Sequence, residues 1–253
     1  SIPLPGVDNL DPGLAVKVCK IANDGLAEVC GRSGSRFVGL AILPIQAGEE
    51  AGDELRRSVK DLGLKGGYLH SNSLGHYLDS AEYLSSMNIA NNLGVPMFVH
   101  PTTPNLQAGM DEYRLATTFG LQVDLSLSIL RLVFSSALES MPGLRLIVSH
   151  LGSTLPFISN RIDDEFQFAK SPETMIPRKP SEYMRRLYVD TVTMDPRPLE
   201  FAKNYFGADH IVFGSDYPFW ETGLHVQAVE NSSLATEEKE MVFSRTARQL
   251  LKL

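Results

Sequence analysis

The sequence predicts an α/β fold with parallel strands, and three short apolar runs carry most of that prediction. The runs are PMFVH, which ends at His100, RLIVSH, which ends at His150, and IVFGSD, which ends at Asp216. Each run is β-branched or aromatic, is bounded by Pro or Gly, and precedes a helix-like stretch, which is typical of buried parallel strands. Each run also ends on a side chain that can bind metal or move protons, and barrel enzymes keep their chemistry at the carboxyl ends of their strands.

The first predicted element is a helix that begins after Asp11. In DPGLAVKVCKIANDGLAEVCG, Asp11 is a predicted N-cap, Pro12 occupies the first helical position and Gly31 marks the end. Strands and helices then alternate, which implies parallel βαβ units. Helices are expected to end near Gly63, Gly94 and Gly207. The predicted strands cover 37–43, 64–70, 96–100, 145–150, 187–192 and 211–216.

One predicted helix, over residues 124–141, is largely apolar with few charges. Such a helix is expected to pack against a sheet or a neighbouring subunit.

Length and composition are those of one compact soluble domain of 253 residues, with 43% hydrophobic and 21% charged residues. The net charge of −7 argues against nucleic acid or an anionic membrane as the main partner, so a small-molecule substrate is expected. No run resembles a membrane span or a signal peptide. Cys19 and Cys30 fall in one predicted helix without CxxC spacing, which favours reduced thiols and a cytoplasmic protein.

Two common kinds of site are missing from the sequence. No GxGxxG motif follows a predicted strand, and GRSGSRFVG precedes a strand, so a dinucleotide or flavin site is not predicted. No GxSxG motif occurs, so a serine nucleophile elbow is not predicted either. Chemistry based on metal, histidine and aspartate remains.

Five segments stand in a familiar order between Phe37 and the C-terminus: FVGLAILPIQ, PMFVHPTTP, RLIVSHLGSTLPFISNRIDDEF, LYVDTV and GADHIVFGSDYPF. In order and rough spacing they resemble the amidohydrolase-2 family. The branch in question contains aminocarboxymuconate-semialdehyde decarboxylase and the γ-resorcylate type of aromatic decarboxylases. The resemblance implies a (β/α)8 barrel of the metal-dependent hydrolase type with one divalent metal, commonly zinc, with manganese as the other option.

The same resemblance assigns roles to the three strand-end residues. His100 matches a metal-ligand histidine, His150 in SHLG matches a catalytic acid/base, and Asp216 in GSDYP matches an aspartate that ligates metal and handles protons. From the residues alone, His100 has the alternative of a histidine satisfied by a backbone carbonyl, and His150 has the alternative of a metal ligand. An N/O ligand set of this kind is typical of catalytic metal sites.

The chain departs from the family pattern at its start. Family members open with a strand bearing His-x-His or Glu-x-His, which supplies two metal ligands, and no such pair occurs here. Six strands are predicted where a barrel needs eight. We therefore expect the single barrel domain over 1–253 to be N-terminally incomplete, with its first strands missing.

Four further residues are predicted to contact substrate. His70 ends a predicted strand, and Asp190 ends LYVD, where it either lines the pocket or hydrogen-bonds a neighbouring strand end. Trp220, with Tyr217 and Phe219, would form an apolar wall for a flat substrate. Arg161 would meet a substrate carboxylate, or else pair with Asp163 or Asp164. The remaining histidines are predicted to lie at the surface: His76, His210 and His225.

Three functions are consistent with these observations. The first is metal-dependent, non-oxidative decarboxylation of an aromatic or muconate-like carboxylic acid by a homodimer or homotetramer. The second is hydrolysis of a lactone, amide or related bond by metal-activated water. The third is a non-catalytic remnant with an incomplete metal site.

Overall fold

The computed structural model describes residues 6–168 and 176–253, which fall into two compact units. Unit 1 is Ser1–Arg145 and unit 2 is Leu146–Leu253. Each unit is described by itself.

Unit 1 alternates helices with short strands. Its elements are α1 (Pro12–Arg32), β1 (Ala41–Ile42), α2 (Glu49–Lys60), β2 (Gly67–His70), β3 (Asn72–Ser73), β4 (His76–Tyr77), α3 (Ala81–Leu93), β5 (Pro96–His100), α4 (Leu121–Phe134) and α5 (Ala137–Ser140).

The strands of unit 1 are parallel except for one hairpin. β1 pairs with β2, and β2 pairs with β5 in a register that sets His70 opposite His100. Because β2 and β5 are parallel, both histidines lie at the carboxyl ends of neighbouring strands, as predicted. The antiparallel hairpin β3–β4 directly follows β2 and was not predicted.

The helix α1 is held to β1 by a buried side-chain amide. Asn23 donates to the carbonyl of Ile42 at 2.9 Å and accepts from the N–H of Ile42 at 3.0 Å, so it pairs with that strand residue as another strand would. Asn23 also donates to Glu54 on α2 at 2.8 Å, and Glu54 pairs with Arg57. The network satisfies polar groups that burial would otherwise leave unpaired.

Unit 2 is built from parallel strands and helices as well. Its elements are β6 (Arg145–Val148, whose first residue closes unit 1), α6 (Leu155–Phe168), α7 (Pro180–Met184), β7 (Tyr188–Asp190), α8 (Pro196–Phe206), β8 (Ile211–Val212), α9 (Thr222–Glu230), α10 (Thr236–Glu240) and α11 (Thr246–Leu251). β7 pairs in parallel with β6 through Val148 and Val189, and with β8 through Asp190 and Val212.

Several predicted elements are shorter than expected. The strand predicted over 37–43 is regular only at Ala41–Ile42, and the strand over 211–216 only at Ile211–Val212. The helix predicted over 124–141 begins earlier and is interrupted after Phe134, because Ser136 takes a left-handed conformation with φ of 61°. Ala41, Ile42, Ile211 and Val212 are buried, whereas Phe37 and Val38 are exposed and residues 213–216 are only partly buried. The apolar pattern therefore overestimated the length of these strands.

Among the described residues, one helix, Ala116–Phe134, is long and apolar enough to cross a bilayer by length and composition alone. It carries the buried Asp124, which accepts hydrogen bonds from Ser71 and Tyr77 of unit 1. A carboxylate satisfied in this way is typical of a helix packed inside a protein core.

Candidate active site

Two strand-end segments of unit 2 carry left-handed backbone at the predicted catalytic residues. His150 has φ of 56° two residues beyond β6, and Asp216 has φ of 53° beyond β8. Leu151 and Ser153 also have positive φ. Residues other than glycine rarely adopt this conformation, and such strain collects at functional sites.

Glycines at these turns allow close packing. A Cβ at Gly152, whose φ is 74°, would lie 3.0 Å from the Phe206 ring and 3.2 Å from Val189. A Cβ at Gly214 would lie 2.8 Å from the Cβ of Asp190. The motifs SHLG and FGSD therefore need glycine where another backbone or side chain comes near.

His150 lies next to two carboxylates in unit 2. Its Nε2 is 3.8 Å from Oδ2 of Asp216, and its backbone N–H donates to Oδ1 of Asp190 at 2.7 Å. Burial lowers the pKa of His150, but the Asp216 and Asp190 carboxylates outweigh that effect, so the pKa lies above its ordinary value. A histidine whose charge state depends on its neighbours is suited to proton transfer.

Asp190 has the structural role that the sequence left open. It is buried at the end of β7 and accepts from the N–H groups of His150, at 2.7 Å, and Val192, at 3.0 Å. It thus hydrogen-bonds a neighbouring strand end and fixes the backbone from which His150 projects.

His100, in unit 1, has its Nδ1 2.8 Å from the carbonyl oxygen of Pro101. One nitrogen of the ring is therefore satisfied by a backbone carbonyl, as the alternative prediction for His100 had it. Since a carbonyl oxygen only accepts, Nδ1 carries the proton and the lone pair lies on Nε2. A neutral imidazole ligates metal through its unprotonated nitrogen, which is Nε2 in this form, so the contact is compatible with the ligand role.

His70 has a carboxylate partner that the sequence did not predict. Its Nδ1 is 2.7 Å from Oδ2 of Asp8, and the pair lies beside a small cavity that is also lined by Tyr68, Ile42 and Val7. Burial raises the pKa of Asp8, but the hydrogen bond and charge of His70 outweigh it, so the pKa lies below the ordinary value. The two residues are 62 positions apart in the chain, and no sequence pattern joins them.

The other predicted substrate residues lie at the surface. Trp220 is 51% exposed, and Tyr217 and Phe219 are exposed too. Arg161 is exposed and pairs with Glu165 at 2.6 Å. The prediction that Arg161 pairs with Asp163 or Asp164 was therefore wrong. Residues four positions apart lie next to each other on a helix, and Glu165 is four positions after Arg161. Asp163 accepts from Ser181 instead.

The prediction for one surface histidine was also wrong. His225 is 1% exposed, and its Nδ1 lies 3.0 Å from the carbonyl oxygen of Thr193. It falls on α9, on the helix face turned inward, and a single histidine in a short helix does not reveal which face it occupies. His76 is exposed as predicted, whereas His210 is partly covered and stacks on Tyr188 at 4.7 Å between ring centroids.

The fold and these side chains define a class first. Parallel strands that end on histidine and aspartate, without a nucleotide or serine-nucleophile motif, are typical of α/β enzymes that use a metal ion and acid/base residues. The family follows from a direct comparison: the Amidohydrolase family model matches residues 3–253, and the chain belongs to that family. The resemblance predicted from the sequence is confirmed.

Two named relatives show which members of the family the chain is similar to. The chain is 29% identical to 2-amino-3-carboxymuconate-6-semialdehyde decarboxylase of Dictyostelium discoideum over 90% of its own length and 65% of that protein. It is 31% identical to gamma-resorcylate decarboxylase of Rhizobium radiobacter over 100% of its own length and 82% of that protein. The chain therefore spans about two thirds to four fifths of the length of these relatives.

A solved structure confirms the predicted fold class. The dihydroxybenzoic acid decarboxylase of Polaromonas sp. JS666, solved with bound manganese and the inhibitor 2-nitroresorcinol, matches with a TM-score of 0.90 and 30% identity. The match covers 99% of this chain and 80% of that one. The chain is thus an α/β protein of the barrel type predicted for the family.

Proposed function

We propose that this protein is a metal-dependent, non-oxidative decarboxylase of an aromatic or muconate-like carboxylic acid. The observation that carries the proposal is that the named relatives, which match 90% or more of the chain, are decarboxylases. A fold alone does not decide a reaction. Here sequence identity near 30% accompanies the fold.

We propose that His100 and Asp216 ligate one divalent metal ion, zinc or manganese. The donor chemistry fits: Asp216 offers a carboxylate oxygen, and His100 offers Nε2 because its Nδ1 bonds to a carbonyl. Bound manganese in the Polaromonas enzyme supports a divalent ion and makes manganese as good an expectation as zinc. Such an ion would hold the oxygens of the substrate and stabilise negative charge that develops on them.

His150 is the proposed acid/base residue. When CO₂ leaves, the electron pair of the broken C–C bond stays on the ring carbon. His150 would donate its proton to that carbon. Its Nε2 lies 3.8 Å from Oδ2 of Asp216, and the bond from its backbone N–H to Asp190 fixes its position. Proton transfer by a positioned side chain contributes on the order of 10²–10⁴ in rate.

We propose that His70 and Asp190 lie near the substrate, that Trp220 forms part of an apolar wall, and that Arg161 meets the substrate carboxylate. A homodimer or homotetramer in the cytoplasm, with no nucleic-acid or membrane partner, is the proposed state. Metal analysis of the purified protein would decide between zinc and manganese.

A substrate panel tests the proposed reaction. Metal-replete protein is incubated with hydroxybenzoates, muconates and lactones, while CO₂ release and ring opening are followed separately. We expect CO₂ from at least one acid, with its production lost in the His150→Ala variant. Ring opening without CO₂ would favour hydrolysis, and no turnover by a protein that binds no metal would favour the non-catalytic remnant.

A further inference from the structure

We propose that Asp124 is a positioning residue for His100, acting through Ser71 and through the peptide unit that joins Pro101 to Thr102. The inference rests on the proposed role of His100 as a metal ligand. It assigns the choice of ring tautomer and orientation to a carboxylate that does not touch the histidine.

Asp124 is the centre of a buried hydrogen-bond network. It is 3% exposed on α4 and accepts from four donors. They are Ser71 Oγ at 2.6 Å, Asn72 Nδ2 at 2.9 Å, the Tyr77 hydroxyl at 3.0 Å and the Asn105 N–H at 3.1 Å. The donors come from the end of β2, from the β3–β4 hairpin and from the loop after β5. One carboxylate therefore holds the segments that follow both histidine-bearing strands.

Ser71 connects this carboxylate to the backbone beside His100. Its Oγ donates to Asp124 and accepts from the N–H of Thr102 at 3.3 Å. Its own backbone N–H donates to the carbonyl oxygen of His100 at 2.8 Å. Ser71 thus contacts the backbone on both sides of Pro101.

The last link is the peptide unit itself. The N–H of Thr102 and the carbonyl of Pro101 belong to one planar group, so the bond to Ser71 sets the direction of that carbonyl. The carbonyl oxygen lies 2.8 Å from Nδ1 of His100. Every donor and acceptor then points the same way, from the imidazole through the peptide and the Ser71 hydroxyl to the Asp124 carboxylate.

This direction has a chemical consequence. A carbonyl oxygen accepts only, so the proton of the neutral ring belongs on Nδ1 and the lone pair on Nε2. Hydrogen bonds in a chain polarise one another, and a carboxylate at the far end strengthens each acceptor along it. Outer groups of this kind orient metal-ligating histidines, and their loss costs about 10- to 100-fold in metal affinity.

The chain offers a matched pair of variants. Ser71→Ala and Tyr77→Phe each remove one hydroxyl that donates to Asp124, so each takes one hydrogen bond from that carboxylate. Only Ser71→Ala breaks the connection to Thr102 and His100. A merely structural role for Asp124 predicts equal effects of the two substitutions, whereas the positioning role predicts a difference.

The first measurement is the tautomer of His100 in the metal-free protein, read from its ring ¹⁵N chemical shifts and assigned with a His100→Gln variant. We expect the Nδ1–H form in the wild type and in Tyr77→Phe, and a mixture of tautomers in Ser71→Ala. An Nε2–H form in the wild type would overturn the proposal, even if Ser71→Ala did not fold.

The second measurement is the dissociation constant for Mn²⁺ and for Zn²⁺, by competition with a chelator. We expect Ser71→Ala to raise it about 10- to 100-fold, and Tyr77→Phe to change it less than threefold. If metal binding depends on His100 but Ser71→Ala and Tyr77→Phe change the dissociation constant equally, the proposed link from Asp124 to His100 is overturned. Binding that is unchanged in His100→Gln would instead refute the proposed ligand role, and the tautomer measurement would still decide the link.

Discussion

At the scale of single residues, the site of unit 2 is made by backbone conformations that its residues do not favour. His150 and Asp216 both have left-handed φ, and glycine occurs beside each where packing is closest. The carboxylate of Asp190 holds the backbone N–H of His150 in that conformation. Local strain is thereby offset by specific hydrogen bonds, which is common at functional sites.

The roles proposed for the three residues predict that metal binding and turnover depend on different side chains. His100→Ala and Asp216→Ala should lose bound metal and activity together, because a site with few protein ligands loses much of its affinity with one. His150→Ala should keep the metal and lose about 10²–10⁴ in turnover. Metal content by mass spectrometry and initial rates would show this, and loss of metal from His150→Ala would reverse the assignment of ligand and acid/base.

The Asp8–His70 pair predicts a pH-dependent contribution to stability. The pKa of Asp8 is lowered in the folded protein, so the pair stabilises the fold above the ordinary aspartate pKa of about 4. That contribution is lost as pH falls through the lowered folded pKa. Asp8→Asn should therefore unfold more easily in urea at pH 7, with the difference from wild type closing at low pH.

An exposed aspartate provides the control for that titration. Asp53 pairs with Arg56 on the surface of α2, and Asp53→Asn should change the free energy of unfolding by less than about 0.5 kcal/mol. A gap between wild type and Asp8→Asn that stayed constant from pH 3 to pH 8 would contradict the role of the Asp8 charge.

At the scale of elements, the side chain of Asn23 joins the helix α1 to the strand β1 by hydrogen bonds. Asn23→Ala would leave the N–H and carbonyl of Ile42 and one oxygen of Glu54 without this partner. Glu54 keeps its bonds from Arg57 and Ser58, so the two Ile42 groups are left unsatisfied. Buried groups left unsatisfied cost about 1–3 kcal/mol each, so we expect a loss of about 2–6 kcal/mol in the free energy of unfolding. Glu28→Ala, which removes an exposed pair with Arg32 on the same helix, should cost less than about 0.5 kcal/mol. Urea denaturation would measure both, and equal costs would contradict the role of Asn23.

At the scale of the whole molecule, the sequence predicted the class and the family correctly because both depend on local patterns. Apolar runs mark β2, β5 and β6, and a histidine ends or closely follows each of these strands. Helix ends were predictable too: Gly94 ends α3 in a left-handed conformation, and Asp11 caps α1 through its side chain.

The rest depends on contacts that are distant in sequence. Asp8 meets His70 across 62 residues, and Ser71 meets Asp124 across 53, and neither pair has a local signature. The turns at His150 and Asp216 look like strand in the sequence because the apolar runs RLIV and IVF lie only a few residues before them. The burial of His225 depends on which face of α9 is covered, which only the packed structure decides.

The most direct test of the account follows the isotopes of one turnover. The metal-replete protein is given whichever acid of the substrate panel it consumes, in D₂O and separately in ¹⁸O-labelled water. We predict one CO₂ per acid consumed, one deuterium at the carbon that carried the carboxylate, and no ¹⁸O in the organic product. Incorporation of ¹⁸O into a cleaved or ring-opened product, with no CO₂ released, would contradict decarboxylation and establish hydrolysis in its place.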